Sequence, residues 1–401
     1  MNDSNDEKKS GPNRREFLKA AATAGAGITF VGCTARTEAP AASQSAPAPA
    51  ASETALAPRD PDTTQSLYPR PVVVNGKRML TVDVHAHTEV ADVWPLIEGH
   101  EELEGENPYG PNPLTRATGV DVRLAAMDAS GIDVQALSIS VGQYFHWADP
   151  DLAAKIVRLQ NEKLTEVCAE NPERFVPLGA VALQHPELAA SQLEYAMRTL
   201  GHRGVMLTCS IDDKELADPM FNPFWAKAEE LGAVVFLHPR GFPPAAARFA
   251  GNGRLDNIIG NPLETTVALS HLIFEGTLDR YPGLKLVAAH GGGYLPAYIG
   301  RSDHCHNTDD RGCRGEETKK PSDYLRQIYF DSLVYRTQNL QQLVDEAGVS
   351  QIVLGTDYPY GMENRNSVAH VLSVPGLTDD DREAILGGTL AKLLKLDMTK
   401  A

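Results

Sequence analysis

Eight short runs of apolar, largely β-branched residues recur along the chain, near 80–85, 134–139, 175–181, 204–208, 233–238, 285–290, 327–331 and 351–355. Runs of this length read as buried strands. Between most of them the apolar spacing changes to that of a helix, as over Leu152 to Glu170, Glu187 to Leu200 and Pro223 to Leu231. Strand–helix alternation points to a parallel sheet, because parallel neighbours need a crossover to return the chain. Eight such units predict a closed α/β structure, a single (β/α)8 TIM barrel over residues 68–398.

The ends of these runs carry the chemistry. Val82-Asp-Val-His-Ala-His87 places two imidazoles two residues apart, and alternate side chains of a strand share one face. Three later runs finish in the same manner: Val-Val-Phe-Leu-His238, Leu-Val-Ala-Ala-His290 and Ile-Val-Leu-Gly-Thr-Asp357. Each piece alone reads as a satisfied polar residue. Together they fall at the carboxyl ends of barrel strands, where such barrels build their active sites. His85, His87, His238 and Asp357 are thus the expected ligands of one divalent metal ion, zinc being the ion suited to imidazole and carboxylate donors with one position open to water. His290 is placed to act as the acid or base beside that ion. The fourth run, Gly204-Val-Met-Leu-Thr-Cys-Ser210, contains no lysine that could bridge a second ion, so a single-metal site is expected.

Two inserts interrupt the pattern. Residues 88–116 contain Trp94 and the acidic cluster Glu98 to Glu106, and a loop of that length is expected to cover the metal as a lid. Residues 301–322 are charged and read as a polar loop at a subunit edge. Within the second insert Cys305 and Cys313 are spaced to close a small disulfide loop, with free thiols equally open.

The amino-terminal region bears on location. Asn13-Arg14-Arg15-Glu16-Phe17-Leu18-Lys19 precedes a short apolar run ending at Cys33, the order of a twin-arginine export signal over residues 1–33. That run is shorter than the roughly 20 apolar residues a membrane span needs. Phe30-Val31-Gly32-Cys33 is similar to a lipobox, so a membrane tether through lipidated Cys33 is expected alongside simple cleavage. Residues 34–67 are rich in Ala, Pro and Ser with few large apolar groups, the composition of a disordered linker. The reading is an exported protein of the periplasm or the cell envelope. A net charge of −16, from 53 acidic and 37 basic residues, argues against nucleic acid as a partner.

The motifs also carry a likeness. Met127-Asp-Ala-Ser-Gly-Ile-Asp-Val-Gln-Ala-Leu-Ser138, Pro172-Glu-Arg-Phe-Val-Pro-Leu-Gly179, Ala289-His-Gly-Gly-Gly293 and Leu354-Gly-Thr-Asp-Tyr-Pro359 resemble the amidohydrolase superfamily, nearest its 2-amino-3-carboxymuconate-6-semialdehyde decarboxylase-like branch. The resemblance runs from about Val82 to Tyr360. It implies a barrel of amidohydrolase type, zinc on His85, His87, His238 and Asp357, and His290 as the acid/base residue. It also implies that Arg123 and Arg301 hold substrate carboxylates, with one arginine supplied by the neighbouring subunit of a homodimer. Guanidinium suits that task because its donors pair with both carboxylate oxygens.

The implied activity is a zinc-dependent, non-oxidative decarboxylase of a small unsaturated or aromatic carboxylic acid. The same ligands would serve a hydrolase of an ester, lactone or amide, and a tethered, non-catalytic binding lipoprotein is the remoter reading. Phe145 and Trp147 resemble a loop of the branch that could stack on a planar acid. One departure stands out: members of the branch carry Trp-Asp after the fifth-strand histidine, whereas this chain reads His238-Pro-Arg240-Gly241.

Overall fold

The structure, a computed structural model, describes residues 68–100, 119–308 and 310–396. The expected signal (1–33) and linker (34–67), with Cys33, lie outside the described residues. No helix among the described residues is long and apolar enough to cross a membrane.

Among these residues eight parallel strands form the barrel: β1 (Val82–Thr88), β2 (Val134–Ile139), β3 (Phe175–Leu178), β4 (Gly204–Thr208), β5 (Val234–His238), β6 (Lys285–Ala288), β7 (Ile328–Asp331) and β8 (Ile352–Val353). All eight expected runs are strands. β1–β2–β3 and β4–β5–β6–β7–β8 pair as two parallel arcs. Bridges join the arcs between Gly179 and Val205 and between Asp83 and Leu354, which closes the ring. The strands are buried on both faces, as a sheet enclosed by helices must be.

Helices α1 (Val120–Ser130), α2 (Pro150–Glu170), α3 (Pro186–Arg198), α4 (Asn222–Leu231), α5 (Asn261–Phe274), α6 (Leu295–His306) and α7 (Thr337–Ala347) alternate with the strands. α2 shows why these segments are helical. Asp149 caps it through hydrogen bonds to the amides of Asp151 and Leu152, and Pro150 fills the first position, where no amide partner is needed. Its buried residues Ala153, Ile156, Val157, Leu164 and Cys168 form a stripe against the sheet.

The seam between β1 and β8 is held by one buried carboxylate. Asp83 Oδ1 accepts from the amides of His85 (2.9 Å) and Thr356 (3.1 Å), while Oδ2 accepts from the Thr356 hydroxyl (2.6 Å) and the Gln135 amide (3.1 Å). Burial lifts its pKa to about 6, against the hydrogen bonds from Thr356 and His85. Asp83 therefore ties β1 to β2 and to the segment that carries Asp357. Replacing Asp83 by Ala orphans those buried donors and is expected to lower the unfolding free energy by about 3 kcal/mol or more. Urea denaturation measures this; a loss below about 1 kcal/mol would show that backbone pairing alone holds the seam.

Candidate metal centre

The carboxyl ends of β1, β5 and β8 bring His85, His87, His238 and Asp357 together, with their ligand atoms all within 4.8 Å of one another and all four residues buried. β1 slips register against β2 between Asp83 and Ala86, a bulge beside the two histidines. The Asp357 amide donates to the His85 carbonyl at 2.8 Å, so the most distant ligand in sequence is hydrogen-bonded to the first.

Each imidazole is oriented through Nδ1. His85 Nδ1 meets Asp331 Oδ2 at 2.7 Å, His87 Nδ1 meets Ser138 Oγ at 3.3 Å, and His238 Nδ1 meets the Pro239 carbonyl at 2.8 Å. Outer partners of this kind fix ring orientation and tautomer in metal sites. The opposite atoms, Nε2 of His85, His87 and His238 together with Asp357 Oδ1, are buried and make no well-formed hydrogen bond, their nearest polar contacts being His85 Nε2 and His87 Nε2 to Asp357 Oδ1 at 3.3 and 3.5 Å. Leaving such groups unsatisfied costs about 1–3 kcal/mol each, and a shared cation would satisfy all four. The residues present fit a metal ion.

The electrostatics agree. Burial holds His87 down at about 4 and His238 well below its ordinary value, the second also repelled by His87, His85 and His290, so both are neutral donors. Burial opposes charge on His85, but Asp357 and Asp331 outweigh it and raise its pKa to about 10. Burial likewise opposes charge on Asp357, yet His85 and His87 keep it ionised. Two buried carboxylates thus call for positive charge among the imidazoles, which is what a divalent cation supplies.

His290 follows β6 and stands beside the ligands, its ring centroid 5.1 Å from that of His85 and 5.3 Å from that of His238. Its Nε2 lies 4.0 Å from Asp357 Oδ2. The backbone there is left-handed, with φ +55 at His290 and +61 and +67 at Gly291 and Gly293. A Cβ at Gly291 would come within 2.4 Å of Val334, and one at Gly293 within 2.1 Å of the Pro262 carbonyl. The glycines of His-Gly-Gly-Gly are therefore needed to turn the chain and present His290. Asp331 receives the Gly291 amide at 2.9 Å as well as His85, linking this turn to the ligand set.

Of the two arginines, Arg123 differs from the expectation. It is 5% exposed; Nη2 donates to the His87 carbonyl at 2.6 Å, Nη1 donates to Gln135 Oε1 at 3.1 Å, and the guanidinium lies over the Tyr358 ring at 4.7 Å. It buttresses the ligand strand from behind and does not line the cavity beside the metal ligands, because burial forces its donors onto local acceptors. Arg301 lies on α6, exposed. Phe145 and Trp147 pack against each other, with Trp94 and His100 at their edges, and do not line that cavity. The expected lid is described only to His100, and 101–118 lie outside the described residues. Cys305 and Cys313 form a disulfide; Cys168 and Cys209 are free and buried.

Sequence reading passed over Asp331, although Ile328-Tyr-Phe-Asp331 ends an apolar run in the same way as the ligand segments. It also passed over Asp83 and Ser138, which show no signal in the chain until β1 and β2 are paired.

A cavity of about 260 Å³ opens at the metal residues, with His238, His290, Asp357, Tyr360, Arg240 and Arg254 in its wall. The sequence model of the family described as Amidohydrolase matches residues 82–396. The chain belongs to the amidohydrolase family. A 2-amino-3-carboxymuconate-6-semialdehyde decarboxylase from Dictyostelium discoideum is 32% identical over 285 residues, covering 70% of this chain and 77% of that protein. A gamma-resorcylate decarboxylase from Rhodococcus jostii strain RHA1 is 31% identical over 290 residues, covering 69% and 88%. Among solved structures, a dihydroxybenzoic acid decarboxylase from Polaromonas sp. JS666, with bound manganese and the inhibitor 2-nitroresorcinol, aligns with a TM-score of 0.68 at 26% identity, covering 80% of this chain and 99% of that one. This amidohydrolase is accordingly a metal-dependent enzyme, a carboxy-lyase or hydrolase of the superfamily.

His238→Ala in this amidohydrolase is expected to remove most of the bound metal. His290→Ala is expected to retain metal and to lose turnover by about 10²–10⁴-fold. Elemental analysis of both variants checks the division of roles; equal metal loss would refute it.

Proposed function

We propose that this enzyme is a non-oxidative decarboxylase of a small aromatic or unsaturated carboxylic acid, with His290 moving the proton. The observation that carries the proposal is the juxtaposition of the His85–His87–His238–Asp357 set and His290 at one cavity, in a chain whose relatives are decarboxylases. A cavity of about 260 Å³ lies just below the usual range for small-molecule sites and suits a single ring.

The reaction balances without a redox partner. The carbon bearing the carboxylate takes a proton, its bond to the carboxylate breaks, carbon dioxide leaves, and the released electron pair restores the ring or double bond. The metal, when bound, supplies positive charge that binds and polarises the oxygens of the acid. We favour zinc, given three imidazoles and one carboxylate. His290 Nε2, beside Asp357 Oδ2, is the atom that holds and delivers the proton. Burial keeps the His290 pKa below its ordinary value, so this imidazole, once protonated, gives the proton up readily. Asp331 fixes both His85 and the turn that presents His290.

We further propose an exported homodimer. Tyr294, Tyr298 and Arg301 recur at helical spacing near and along α6, Tyr298 is 73% exposed, and Ile258 and Ile259 expose apolar surface beside Tyr294. Arg301 has no carboxylate partner among the described residues, which suits service to a partner copy's cavity. The Cys305–Cys313 disulfide, like the twin-arginine sequence, suits an oxidising compartment.

Metal-replete protein incubated with an aromatic acid panel is expected to release carbon dioxide in step with loss of acid. Release of acid from esters or lactones, with no carbon dioxide from any member, would replace this reading with the hydrolase. Sedimentation of the same material is expected to show a dimer that Tyr298→Asp dissociates, and fractionation of the native cell to place the enzyme in the envelope. A fully active monomer, or a cytoplasmic pool alone, would contradict those assignments.

A further inference from the structure

Two arginines line the metal cavity, and neither forms a salt bridge among the described residues, although Arg240 lies in the field of the buried Glu264 carboxylate. Arg240 follows β5 two residues after the ligand His238, and its side chain donates to the Tyr144 carbonyl at 3.2 Å. Its backbone amide is fixed by the buried Glu264 carboxylate at 2.5 Å, which leaves the exposed guanidinium as the part free to reach a ligand. Arg254 reaches the same cavity from the loop before α5. Among the described residues no carboxylate lies within ion-pairing distance of either guanidinium, although Asp256 and Asp357 share the wall.

The backbone gives a second, independent observation. Seven non-glycine residues among those described have positive φ, and three of them, Arg254 (+51), His290 (+55) and Asp357 (+65), line this one cavity. An arginine held left-handed beside Gly251 and Gly253, each itself at positive φ, indicates a position fixed by what its side chain does, because glycine would take that conformation without strain. Residues 256–260, directly after it, form a π-turn, an irregularity that recurs at functional sites. In a chain with 16 more acidic than basic residues, two arginines outside any salt bridge and facing a metal site are not surface background.

We infer that Arg240 and Arg254 form a second anion subsite, so that the substrate carries another anionic group besides the one engaged at the metal. The substrate class is then a ring or conjugated acid with two carboxylates, or one carboxylate and a comparable anion. This inference rests on the decarboxylase reading for the chemistry at the metal, but the subsite itself is a matter of binding and is tested without turnover.

The test is calorimetric titration of the metal-loaded, full-length protein with benzoate, isophthalate and terephthalate at low ionic strength. The tighter of the two dicarboxylates is expected to bind about tenfold more strongly than benzoate, the effect of one charge-assisted contact. Arg240→Gln and Arg254→Gln should each reduce that ratio by weakening the dicarboxylate more than benzoate, and Arg240→Lys should restore part of it. Should Arg240→Gln fail to fold, Arg254→Gln and the salt dependence of the wild-type ratio decide, since a solvent-facing subsite is screened as salt rises. Equal affinity for mono- and dicarboxylates, no measurable binding of either, equal weakening of all three by the Gln variants, or a salt-independent ratio would each overturn the subsite. A dicarboxylate preference without any carbon dioxide release would overturn the decarboxylase reading and leave the subsite standing.

Discussion

Three imidazole nitrogens and one carboxylate oxygen, buried within 4.8 Å of one another and left without well-formed hydrogen bonds, form the constraint on which the rest of the molecule depends. Such a cluster is unfavourable unless something positive sits among its members. The surrounding structure holds it open: Asp331, Ser138 and the Pro239 carbonyl occupy the far side of each ring, so the near nitrogens cannot turn to local partners. The barrel supplies rigidity, since the four ligands come from three strands whose ends are fixed by the sheet and by the Asp83 seam.

The same layout separates tasks that one residue could not combine. The candidate ligand atoms face inward toward one another. His290, proposed to move the proton, stands one strand away, on a turn that only glycines allow. Arg123, buried and close by, has its donors bound to the His87 carbonyl and Gln135. In the proposed function substrate contact falls to the cavity wall, which loops can vary without disturbing the strands. Pro239 and Arg240, which follow the fifth strand, sit in that wall.

Much of this was legible in the chain. The eight apolar runs all became barrel strands, and the expected helices over 152–170, 187–200 and 223–231 are observed as Pro150–Glu170, Pro186–Arg198 and Asn222–Leu231. The four ligands were readable because each ends a run, and a parallel barrel gathers its strand ends at one rim. The burial of Arg123 was not legible, because its position before Met127 says nothing about burial, and burial gave its guanidinium local acceptors.

What the sequence determined, then, was periodicity and order: which segments are strands, that they are parallel, and which side chains stand at their carboxyl ends. Those are local properties, set by alternation along the chain and by the handedness of crossovers. Tertiary structure decided which polar groups meet. Asp331 behind His85 and Asp83 across the closing seam are pairings between segments more than two hundred residues apart in the chain. Only closure of the barrel brings such groups within reach, because the distances and burial that give them their charge state exist in space and have no counterpart along the sequence.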